Sequence, residues 1–74
     1  MEPYKNLNHD SNVTAFEIGS DRINVRFIDH KEYLYTNESA GAIKIEQMKV
    51  LAISGSGLNS YINRHAKKLY ASKR

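Results

Sequence analysis

Arg22-Ile23-Asn24-Val25-Arg26-Phe27-Ile28 decides the architecture. Ile23, Val25 and Phe27 fall on one side of an extended chain, and Arg22, Asn24 and Arg26 on the other. A period of two with apolar residues on one side marks a strand with one buried face. Upstream, Gly19-Ser20-Asp21 is a turn cluster. Before it, Asn12 to Ile18 alternates more weakly, with Phe16 and Ile18 opposite Ala15 and Glu17. Downstream, Asp29-His30 is a short connection to Lys31 to Thr36, a third strand rich in aromatic residues. Short connections make neighbouring strands antiparallel, so the spacing predicts a three-stranded meander.

The period then changes to that of a helix. Thr36-Asn37-Glu38-Ser39 offers N-cap side chains, with Ser39 and Asn37 the expected caps. Ala40 to Ile53 places Ile45, Met48 and Ala52 on one stripe. Ser54-Gly55-Ser56-Gly57 ends that helix, and Ser56 is placed to cap the next. From Leu58 to Ala71 the apolar set is Leu58, Tyr61, Ile62, His65 and Leu69, an amphipathic pattern with Asn63, Arg64 and Lys67 opposite. The predicted class is α+β, in the order β-β-β-α-α, with both helices packed on one face of the sheet. Ile23, Val25, Phe27, Ile45, Met48, Leu58, Ile62 and Leu69 form the expected core. Residues 1–10 read as a flexible lead-in, and 11–74 as one domain.

The 74 residues suffice for one domain with a thin stability margin. No apolar run approaches the ~20 residues of a membrane span, so a membrane is not an expected partner. The first ten residues hold no apolar core of a secretory signal. Cysteine is absent, which removes disulfides, thiolate zinc sites and cysteine nucleophiles, and fits the cytoplasm. No Gly-x-Ser-x-Gly elbow exists. His9, His30 and His65 stand far apart, and His9-Asp10 and Asp29-His30 are neighbours that rarely face one metal. Gly55-Ser56-Gly57 lacks the third glycine or the lysine of a nucleotide loop. The expectation is a non-enzymatic protein with no catalytic residues, metal or cofactor.

Charge separates along the chain. Residues 1–40 carry −3 and residues 41–74 carry +6, and no acid occurs from Ser56 to Arg74. That asymmetry favours an anionic partner. Arg64, Lys67, Lys68, Lys73 and Arg74 are the candidate phosphate contacts, with Lys44 and Lys49 as additions. Asn59 and Asn63 could hydrogen-bond bases or backbone. Tyr33 and Tyr35 share one face of the third strand, and the hairpin register decides which. With Arg26 opposite Tyr33, both rings join Arg22 and Arg26 on the open face, a surface on which single-stranded nucleic acid stacks. With Phe27 opposite Tyr33 and Val25 opposite Tyr35, both rings lie over the core, an arrangement that packing favours.

Ser11-x-Val13, Ile23-x-Val25-x-Phe27 and Tyr33-x-Tyr35, followed by Ala52, Gly55, Asn59 and Ile62, resemble the KTSC domain. That domain is named after a C-terminal extension of some lysyl-tRNA synthetases and also occurs alone in bacteria and phages. The resemblance spans roughly residues 11–70, with Tyr33 and Tyr35 at the signature Tyr-x-Tyr and His30 where a turn glycine is common. It implies a small domain without established activity, for which RNA binding has been suggested. The leading expectation is a nucleic-acid-binding module, for RNA before other nucleic acids. The alternative is a protein-interaction module acting through a sheet edge or the open sheet face, with a homodimer as one version.

Overall fold

The computed structural model describes residues 1–9 and 11–74. Its elements are β1 (Glu2–Pro3), β2 (Val13–Ile18), β3 (Arg22–Phe27), β4 (Glu32–Thr36), α1 (Asn37–Ala40), α2 (Ala42–Ser54), α3 (Leu58–Tyr61) and β5 (Ser72–Lys73). A single π-helical turn over Ile62–Ala66 continues α3. The class is α+β, as the periodicity predicts. The sheet, however, has five antiparallel strands in the order β1-β2-β3-β4-β5, not three. The predicted meander is its centre, and the two chain ends add an edge strand each.

Strand β3 buries Ile23 and Val25 completely, and Phe27 packs at the core margin. Its partner β4 adopts neither anticipated register. Val25 faces Tyr33 and Ile23 faces Tyr35, with the Phe27 amide donating to the Lys31 carbonyl at 3.0 Å. The connection is therefore Ile28–His30, one residue longer at its start than Asp29-His30. His30 closes it with φ 67°, the left-handed third position of a three-residue hairpin loop. The longer loop keeps both tyrosines on the core face. In β2 the register shifts between Val13 and Ala15, so Val13 faces Phe27 and Phe16 faces Val25. This bulge brings two residues three apart onto one face, which explains the weak alternation there.

The lead-in is not loose. β1 pairs with β2, Tyr4 belongs to the core, and the Leu7 amide donates to the Gly55 carbonyl at 2.8 Å. The Tyr4 hydroxyl accepts from the Leu58 amide at 3.3 Å, satisfying one of the unpaired donors that open α3. Ser56 does not cap that helix, since its hydroxyl accepts from the Asn8 side chain at 3.0 Å instead. Asp10, the last residue of the lead-in and half of the His9-Asp10 pair, lies outside the described residues.

The first helix also starts differently. Thr36 is its N-cap, in a reciprocal capping box with Ser39 at 3.0 Å in each direction. Gly41, at φ 91°, separates the one-turn α1 from α2. Strand β4 thus runs straight into a helix without a loop. Ile45, Met48 and Ala52 then face the core, on the stripe the sequence marks.

The last helix departs most. The π turn inserts an extra residue into the stripe, so Leu58, Ile62 and Ala66 are buried and His65 is exposed. His65 packs its ring against Tyr61 at 4.8 Å instead of entering the core. The helical run ends near Lys67 rather than Ala71. The chain returns to the sheet, where the Ala71 amide donates to Leu34 and Arg74 exchanges hydrogen bonds with Glu32 at 2.8 and 3.1 Å. Lys73 and Arg74 therefore lie on a sheet edge, not on the basic helix.

Candidate nucleic-acid interface

Two tyrosines on one face of β4 meet a helix that arrives over them. Tyr35 is 1% exposed, and Tyr33 is half-buried. The Tyr33 ring is enclosed by Phe27 edge-on at 5.2 Å, Tyr70 edge-on at 5.1 Å and Tyr35 at 6.5 Å. Lys73 Nζ lies 5.4 Å from its centroid, a cation–π contact. The stacking role is conditional on an exposed register, and the observed register puts both rings on the core face instead.

What the rings do is line a groove. Between the end of the β3–β4 hairpin and the π turn lies a concavity of about 430 Å³. Phe27, Ile28 and Ile62 supply apolar lining, and Tyr33, Tyr35, Asn59 and Asn63 supply polar groups. Lys67 borders it from the helix, with Asp29 and Asn12 from the loops. Asn59 and Asn63 stand four residues apart along the helical run, which brings both amides to one side. The Asp29 carboxylate is fixed by the Lys31 amide at 3.1 Å. Burial, with Tyr33 and Tyr70 nearby, pushes the Tyr35 phenol well above its ordinary value. It stays protonated at neutral pH and is a hydrogen-bond donor.

Five of the sequence-marked residues thus converge: Tyr33, Tyr35, Asn59, Asn63 and Lys67. Arg64 and Lys68 flank Lys67 and are exposed, and among the described residues none of the three forms an ion pair. Lys44 is half-buried on α2. Lys49 is spent structurally, since its ammonium donates to Glu46 at 2.9 Å and to the Ser20 carbonyl at 3.0 Å.

Arg74 joins a different surface. With Arg22, Asn24, Glu17 and Glu32 it lines a concavity of about 380 Å³ on the helix-free face of the sheet. There Arg26 donates to Glu32 at 2.9 and 3.3 Å, and Asn24 donates at 3.3 Å. The Arg26 hydrogen bond and charge, helped by Asn24 and Arg74, hold the Glu32 carboxyl below its usual range against the opposing effect of burial. Charges of both signs are interleaved on this face. It is neither an aromatic stacking platform nor an apolar docking patch.

Sequence reasoning missed Asn12, Phe27, Ile28 and Asp29 as groove residues. They come from a loop and a hairpin end whose placement depends on the register, and register has no linear signature beyond loop length. Among the described residues no three metal-ligating side chains stand together, and no helix is long and apolar enough to cross a membrane. No family model, curated protein or solved structure matches the chain. The resemblance to the KTSC domain rests on the residues quoted for it alone.

Proposed function

We propose that the protein is a non-enzymatic module of the cytoplasm that binds single-stranded RNA across the basic end of its last helix. One observation carries this reading: Lys67, flanked by Arg64 and Lys68, borders a groove lined by the Asn59 and Asn63 amides, and among the described residues these three cations form no ion pair and these two amides no hydrogen bond. Phosphates of a strand would lie along the three cations, with the groove beside them. A helix C-terminus attracts cations through its dipole in any case, but that accounts for neither the groove nor the amides within it.

Phosphate binding releases counterions, so affinity must fall with salt by a log–log slope near −0.7 per contact on a single strand. Three contacts give a slope of about −2. Changing Arg64, Lys67 and Lys68 together to Gln should flatten that slope and weaken binding whatever the strand's sequence. Fluorescence titration of a labelled RNA at two salt concentrations reads both. A parent that binds no RNA at low salt, or binds it indifferently to salt and to the substitutions, would refute the proposal.

A protein-interaction role is the second reading. It is favoured by Ile43, Val50 and Ile53, which are 87%, 59% and 60% exposed on α2. Their seven- and three-residue spacing puts them on one helix stripe. This helix stripe would serve such a role beside the sheet edge and the open sheet face.

A further inference from the structure

We infer that the groove seats one unstacked base of the bound strand, gripped at its edge by the Tyr35 hydroxyl and the Asn59 and Asn63 amides, so that binding selects sequence. The inference rests on the RNA-binding reading and deepens it. Phosphate contacts alone would position a strand without reading it.

The Tyr35 hydroxyl is the first support. Its ring is fully buried, yet the hydroxyl makes no hydrogen bond to any described residue. Tyr35 is among the residues that line the groove. A phenol that lines a groove and has no hydrogen-bond partner among the described residues has a donor to offer a bound group.

The amides are the second support. The side chains of Asn59 and Asn63 make no hydrogen bond within the described protein, and both line the same groove. An amide offers a donor and an acceptor side by side, the pattern that matches the edge of a base. The apolar lining of Phe27, Ile28 and Ile62 suits the ring itself.

Charge fixes the direction of entry. Lys67 borders the groove from the helix and Asp29 from the hairpin loop. An anionic backbone is drawn to the first and repelled by the second. The strand therefore runs along the Lys67 side and turns a base inward, towards Tyr35.

The test uses the full chain and RNA hexamers of U, C or A alone, each titrated at two salt concentrations. The parent should separate its best from its worst hexamer by tenfold or more. The double variant Asn59→Ala/Asn63→Ala and the single variant Tyr35→Phe should each cut that ratio below threefold and leave the salt slope unchanged. Circular dichroism melting confirms that both remain folded. If Tyr35→Phe does not fold, the exposed Asn63→Ala alone should still halve the ratio or better. Equal affinity of the parent for all three hexamers, with a normal salt slope, overturns the base seat and leaves backbone binding standing. A preference that survives the variants also overturns it. Binding to no hexamer at low salt removes the RNA reading and the seat together. A hexaglutamate peptide that matches the best hexamer assigns the groove to an acidic protein and overturns the seat as well.

Discussion

His30 holds φ 67°, where the Cβ of an L-residue crowds the following carbonyl. Glycine lacks that clash, so His30→Gly should raise stability by about 0.5–1 kcal/mol after its larger unfolded-state entropy is counted. A urea melt checks this, and a loss of stability would mean that the imidazole makes a contact worth more than the strain. Tyr35 calls for the opposite reasoning. Its ring fills the core but its hydroxyl bonds no described residue, so Tyr35→Phe should change stability by less than ~0.5 kcal/mol. Tyr35→Ala should cost ~3–5 kcal/mol, the range for deleting a large buried ring. Glu32 gives a pH dependence with a definite sign. A carboxyl held below its ordinary 4.5 in the fold contributes stability above that pH and loses it as pH falls through the lowered value. Arg26→Gln should move the Glu32 titration upward and remove its share of the acid sensitivity. Carbon-detected NMR titration of the carboxyl measures the shift, and an unmoved midpoint would contradict the assignment to Arg26.

At the scale of elements, the central strands and α2 were legible because each carries several turns of its own period. Ile23-x-Val25-x-Phe27 and Ile45, Met48, Ala52 face where their spacing put them. The outer elements were not legible, for distinct physical reasons. A two-residue strand such as β1 or β5 has no period to read, and it forms because its neighbour offers unpaired backbone groups. The π turn is invisible because the sequence supports two stripes, one through His65 and one through Ala66. Tertiary packing chooses the smaller side chain. Of the candidate site, Asn59, Asn63 and Lys67 could be read from one helix face, but the groove wall opposite them could not. The hold of residues 1–9 on the domain is testable. Deleting them uncovers Phe16, removes Tyr4 from the core and takes the cap from Leu58. Burying one large side chain is worth roughly 1.5–3 kcal/mol, so the shortened chain should lose at least ~2 kcal/mol. A melting temperature unchanged on deletion would show that the segment merely rests on the surface.

Over the whole molecule, charge and stability separate cleanly. Arg64, Lys67 and Lys68 are exposed and form no ion pairs among the described residues. Replacing all three with Gln should therefore leave stability within about ±0.5 kcal/mol per site, while RNA affinity falls. A melt beside the titration distinguishes this from a variant that binds poorly because it has come apart. The sheet has a further consequence for the molecule under load. Glu2, Phe16, Val25, Tyr33 and Lys73 form one unbroken row of paired residues from edge to edge. Four strand spacings set the two termini about 19 Å apart along that row. Tension applied between the ends then pulls along the interstrand hydrogen bonds rather than across them. The ladder opens like a zip, one bond at a time, beginning with the two-residue strands at its margins. Such a domain yields to small forces when drawn by its ends.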